Sequence, residues 1–172
     1  MKLKKSGNLI MVLGKTIGHI NQSSFLIENF SINDGPPPEV NLVNEKNNGL
    51  AIQNLIKNNL VLSAHDISSG GILVSLAEMS VASGLGLKIN KPKKFTNIFE
   101  YFFGEDQGRY LIEITKDNQK KVETTLKNNN IFFETIAEVQ NDAFEMDKIF
   151  NLKTKDLRKY NYQWYNKYNA TN

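Results

Sequence analysis

The chain has 172 residues, 40% apolar and 23% charged, which suits one globular domain with its own core and excludes a disordered chain. Its 21 basic and 18 acidic residues leave a net charge of +3, too weak and scattered to point to nucleic acid. There is no cysteine, which excludes disulfides, thiolate metal sites and cysteine nucleophiles and suits a cytoplasmic protein.

Near the start, Lys2, Lys4 and Lys5 precede the apolar run Leu9 to Leu13. That run is too short for a secretory leader. No apolar stretch approaches the roughly 20 residues of a membrane span. Asn8 to Leu13, closed by Gly14, reads as a buried strand, and Ser24 to Glu28 as a second strand. Asn33 to Pro38 is a breaker cluster and reads as a loop. Glu39 to Asn59 has the apolar spacing of a helix, with a possible interruption at Asn47-Asn48-Gly49. Leu60 to Ala64 reads as a short strand. Gly71 to Ser83 reads as a helix stopped by Gly84.

Further on, Leu85 to Ile89 reads as a strand and Thr96 to Phe102 as a short helix. Between them, Lys91, Lys93 and Lys94 read as solvated surface. Arg109 to Thr115 alternates like a strand, and Asp117 is placed to cap a helix over Asn118 to Lys127. Ile131 to Val139 reads as a strand with Ala143 to Phe150 paired beside it. Thr154 is placed to cap a last helix, whose Tyr160, Trp164 and Tyr168 read as a packing stripe. Strands and helices mix without a strict βαβ rhythm, so the expected class is a layered α+β domain.

The chemistry concentrates at His65-Asp66-Ile67-Ser68-Ser69-Gly70-Gly71. An apolar strand runs into an acid, two serines and paired glycines, and a helix follows. Glycines allow backbone to approach a ligand, and a helix start attracts anions. Ser68 can donate to a phosphate oxygen, and Asp66 is a hard ligand suited to magnesium. The same residues also suit a purely structural turn, with a serine cap and an aspartate that holds the bend. His65 reads as a hydrogen-bonded structural histidine rather than a base. A second cluster, Gly104-Glu105-Asp106-Gln107-Gly108-Arg109, offers ligand contacts from Glu105 and Gln107. There Arg109 suits either a phosphate or a structural carboxylate. His19 is given no role.

At these residues the chain resembles a family, phosphoribosylformylglycinamidine synthase, synthetase subunit. Ser63 to Gly71 with Leu76-Ala77-Glu78-Met79 is similar to its "AHDxSxGG…LAEM" signature. Leu13 to Gly18 with Gln22 to Leu26 resembles "LGxTxG…GxSEYL". Phe102 to Tyr110 resembles "FxEDQGRY", and Leu157 to Tyr168 resembles a closing "LRxxxxxWxxxY" helix. The departures are Lys15, Ser24 and Ser69, each where the family usually has an acid.

The resemblance covers only the family's last domain and implies a single domain over 1–172, without the N-terminal ATP-binding domains. The implied fold is a three-layer α/β/α domain with a mixed sheet, like the C-terminal domain of aminoimidazole ribonucleotide synthetase. The implied reaction belongs to purine biosynthesis: ATP phosphorylates an amide oxygen of formylglycinamide ribonucleotide, and ammonia from glutamine displaces the phosphate. The implied cofactors are ATP and Mg2+. The implied partners are the remaining synthetase domains, a glutaminase subunit and a small bridging subunit, with no nucleic acid or membrane. Asp66 is carried over as a magnesium ligand and Ser68, with Gly70 and Gly71, as nucleotide-binding. Glu105, Asp106 and Gln107 match a substrate-contacting stretch of the enzyme's first half. No catalytic residue is carried over, and the isolated chain is expected to be inactive. The alternative is a non-catalytic packing module. Thiamine-monophosphate kinases and hydrogenase-maturation proteins spell this turn differently.

Overall fold

The computed structural model describes residues 1–92 and 95–170, so Lys93 and Lys94 of the second lysine cluster lie outside the described residues. In chain order the elements are β1 (Leu9–Leu13), α1 (Ser24–Phe30), α2 (Leu42–Lys57), β2 (Ser63–Asp66), α3 (Gly71–Ser83), β3 (Gly86–Ile89), α4 (Ile98–Phe103), β4 (Tyr110–Ile114), α5 (Gln119–Asn128), β5 (Phe133–Gln140), β6 (Ala143–Met146), β7 (Phe150–Lys153) and α6 (Thr154–Ala170). No helix among the described residues is long and apolar enough to cross a membrane.

Among the described residues, seven strands form one sheet in the order β2-β4-β1-β5-β3-β6-β7. Neighbours are antiparallel except β3 and β6, which run parallel. The interior strand β1 is covered on both faces, which explains why its sequence is continuously apolar. Ile10 and Val12 point to one core, with Ile72, Leu76 and Met79 of α3 and Tyr101 and Phe102 of α4. Met11 and Leu13 point to the other, with Ala51, Ile52 and Leu55 of α2 and Val122 and Leu126 of α5. A strand covered on both faces has no polar side, and each large side chain so buried contributes about 1.5–3 kcal/mol. The result is the expected three-layer α/β/α domain with a mixed sheet.

Several local readings need correction. Ser24 to Glu28 is helical, not a strand. Ser23 caps it by accepting the Leu26 N–H at 3.4 Å, and Phe25 stacks on Phe103 with ring centroids 4.3 Å apart. A short apolar run does not itself distinguish helix from strand. The α2 helix is continuous through Asn47-Asn48-Gly49, because Asn48 turns inward and donates to the Gly108 carbonyl at 2.9 Å. Leu60 closes the end of α2 by donating to the Leu55 carbonyl at 3.0 Å. Strand β2 therefore starts only at Ser63 and carries His65 and Asp66 within it.

Asp117 does not cap α5. Asn118 holds that position without a side-chain bond of its own, and Thr115 Oγ1 accepts its N–H at 3.2 Å. Residues 143–150 do not lie beside β5, since β3 intervenes. Gly86 makes that arrangement possible: a Cβ there would run into the backbone of Ala143. Thr154 is the first residue of α6, and its hydroxyl donates to the Asp142 carbonyl at 2.8 Å. Leu157 reaches the core, but Tyr160, Trp164 and Tyr168 are exposed rather than packed on the sheet. Trp164 stacks on Tyr168 at 5.7 Å instead, the neighbour that i, i+4 spacing supplies.

Candidate functional site

The two polar clusters of the sequence meet in space. β2 and β4 are antiparallel, with Asp66 opposite Tyr110. That pairing sets the end of β2 beside the segment leading into β4. The cleft between them measures about 380 Å³ and is lined by Glu45, Asp66, Ser68, Ser69, Glu105 and Gln107, with Ile67 and 108–110 completing its wall. Asp66 is exposed, its side chain 70% accessible, and Ser68 and Ser69 are exposed beside it. Glu45 enters from the first turn of α2. Sequence reasoning missed Glu45, because nothing local marks a helix residue that tertiary packing brings to a distant turn.

His65 behaves as the structural reading expects. Its Nε2 lies 2.8 Å from Glu78 Oε2 and its Nδ1 lies 3.3 Å from Asp66 Oδ1. The "AHD" and "LAEM" stretches are thus joined by one imidazole, which pins the end of β2 to α3. His19 faces the Pro36 carbonyl at 2.9 Å.

Gly70 and Gly71 do not line the cleft. Gly70 has φ +83° and Gly71 has φ +67°, conformations that favour glycine. A Cβ on Gly71 would lie 2.7 Å from both the Phe102 and Gly104 carbonyl oxygens. Their amides have internal partners: the Gly70 N–H donates to Glu105 Oε1 at 2.7 Å and the Gly71 N–H to the Ser68 carbonyl at 3.1 Å.

The second cluster divides sharply. Glu105 and Gln107 face the cleft, whereas Asp106 is buried. The Asp106 carboxylate accepts the N–H groups of Ile17, Gly18 and His19 at 2.9, 3.0 and 3.0 Å. Arg109 is also buried. It donates to the carbonyls of Asp106 and Gly104 and to Thr16 Oγ1, at 3.1, 2.6 and 3.1 Å, and its Nη1 lies 3.5 Å from Asp106 Oδ2. Burial pulls its pKa down, and the nearby Asp106, Tyr101 and Glu105 oppose that shift. Of the two roles open to Arg109, a structural carboxylate holds it here.

Sequence reasoning also missed Glu113. It lies within the alternating run of β4 and is fully buried. Its carboxylate accepts the N–H groups of Lys4 and Lys5 and the amide of Asn8, the last at 2.7 Å.

The cleft's donors fit a shared cation better than a closed cage. Among the described residues, no three His, Asp or Glu side chains are grouped to hold a metal. Asp66 fits magnesium as one oxygen ligand, with the others drawn from phosphate and water, a usual pattern for that ion.

Fold and cleft together define a class: a three-layer α/β/α domain with an acidic, serine-edged cleft where β2 passes into α3. The family described as AIR synthase related protein, C-terminal domain, matches residues 5–147, and the chain belongs to it. The chain is 41% identical, over 98% of its length, to the phosphoribosylformylglycinamidine synthase subunit PurL of Pelagibacter ubique, and spans 23% of that relative. It also matches solved structures of Thermotoga maritima PurL. The complex with FGAR has a TM-score of 0.73 at 18% identity, covering 91% of this chain and 29% of that one. The complex with ATP has a TM-score of 0.70 at 16% identity, with coverage of 91% and 26%.

Proposed function

We propose that this chain is the last domain of a phosphoribosylformylglycinamidine synthase and helps form a composite magnesium–nucleotide site. The whole enzyme would be an ATP- and glutamine-dependent ligase of purine biosynthesis, converting formylglycinamide ribonucleotide to its amidine in the cytoplasm. Its partners would be the remaining synthetase domains, a glutaminase subunit and a small bridging subunit. The observation that carries this reading is the convergence of Asp66 and Ser68 with Glu105 and Gln107 on one open cleft. In this reading Asp66 contributes an oxygen to magnesium and Ser68 donates to a phosphate oxygen. Magnesium would offset polyphosphate charge beside three carboxylates. Gly70 and Gly71 shape the turn that presents Ser68, and Gln107 is the better placed of the substrate-contact residues.

A second reading, a packing module with at most weak nucleotide binding, is favoured by one observation. The Gly70 and Gly71 amides, the Asp106 carboxylate and the Arg109 guanidinium all have internal partners. Calorimetry with magnesium-ATP on the synthetase carrying this domain separates the two. In the first reading Asp66→Ala and Ser68→Ala each weaken binding about tenfold, or about 1.4 kcal/mol. Identical heats in wild type and both variants favour the module. The chain purified alone should show no synthetase turnover.

A further inference from the structure

The start of α3 already has an anion on it, and the anion belongs to the protein. One oxygen of Glu105 accepts two backbone N–H groups, from Gly70 at 2.7 Å and from Ser24 at 2.8 Å. Glu105 is itself held in place, because its own N–H donates to the His19 carbonyl at 2.8 Å. The chain comes this close because Gly71 has no side chain to keep the 102–104 backbone away. The glycine pair thus delivers an internal carboxylate to the turn, where the sequence pattern suggested room for an external phosphate.

We propose that Glu105 is a built-in counter-ion that closes the anion position at the Gly70 amide. It is a positioning and specificity-determining residue. Charge-assisted hydrogen bonds from amides to a carboxylate are among the stronger ones, and a negative charge near a helix start is favourable. A phosphate seeking the same N–H must displace Glu105 and meet its negative charge. Anionic ligands are therefore directed to the Asp66–Ser68 side of the cleft, and the same carboxylate ties α1 to the turn. The inference is separate from the magnesium–nucleotide reading, because it concerns an interaction made without ligand.

Amide-resolved NMR on the 172-residue chain tests it, with inorganic phosphate as the probe and no divalent cation present. In wild type, the Gly70 and Ser24 amides should exchange slowly with solvent, and phosphate should produce no saturable shift at Gly70. In Glu105→Ala, both amides should exchange at least tenfold faster. Phosphate should then produce saturable shifts at Gly70 and Ser24, at least tenfold tighter than any response in wild type. Saturable phosphate binding at Gly70 in wild type overturns the proposal, and so does a folded Glu105→Ala that gains none. If Glu105→Ala does not fold, wild type decides: unprotected Gly70 and Ser24 amides overturn the proposal, and protected amides without a phosphate response support it. Identical magnesium-ATP heats in wild type and Asp66→Ala would overturn the magnesium–nucleotide reading and leave this result untouched, so the two readings fail separately.

Discussion

The turn at 66–69 and the loop at 104–109 look alike as sequence and differ in what holds them. Each sets acid beside glycine, Asp66 ahead of Gly70 and Gly71 and the Glu105-Asp106 pair between Gly104 and Gly108, and each borders a regular element. In the turn, Asp66, Ser68 and Ser69 expose their side chains to the cleft. In the loop, Asp106 and Arg109 are buried and their polar atoms are met by residues 16–19 and by the loop's own carbonyls. A polar motif is free for a ligand only where the fold has not already satisfied it. Buried polar groups must find partners, so Asp106 and Arg109 spend their chemistry on the domain and the turn keeps some in reserve.

That contrast can be broken most decisively at Arg109. Arg109→Ala leaves the Asp106 carboxylate and the Gly104 carbonyl short of a partner, and should lower the unfolding free energy by about 3–5 kcal/mol. Urea denaturation measures it, and a loss under about 1 kcal/mol would mean the loop is not held as described. Next comes Gly71→Ala. The added methyl meets the Phe102 and Gly104 carbonyls at a positive φ, and should cost about 1–3 kcal/mol on the same assay.

Tyr101 supplies a smaller, pH-dependent effect just ahead of the loop. Burial raises its pKa above the usual 10.0, and the Glu134 carboxylate, which accepts its hydroxyl at 2.9 Å, raises it further. Because the folded pKa lies above the unfolded one, the contribution is complete below pH 10 and falls as pH rises beyond it. Thermal melts should therefore drop more steeply above pH 10 in wild type than in Tyr101→Phe. Equal slopes would show that this hydroxyl does not titrate with folding. The smallest effect is expected in the turn itself. Asp66→Ala and Ser68→Ala remove exposed side chains and should change stability by no more than about 0.5 kcal/mol. A loss above about 2 kcal/mol would make the turn structural and erase the distinction.

Much of this was legible in the residues. β1 announced itself by an unbroken apolar run, α3 by helical spacing between Gly70 and Gly84, and β4 by alternation. Those signals are local, and the fold reinforces them. α1 was misread because Phe25 packs on Phe103, a partner far along the chain. The place of β6 depended on the missing side chain of Gly86, and the exposure of Trp164 on how little of α6 touches the core.

The site divides the same way. Sequence alone determined which chemistry was on offer: carboxylates, hydroxyls and glycines at two positions, with no thiol and no cationic patch. Side-chain type is written in the sequence, and the resemblance carried by Ser63 to Met79 pointed to the family. Only the tertiary structure decided which groups remained available. It brought Glu45 to the cleft, buried Asp106, Arg109 and Glu113, and set Glu105 on the Gly70 amide. The physical reason is that availability depends on partners, and partners here come from segments far apart in the chain.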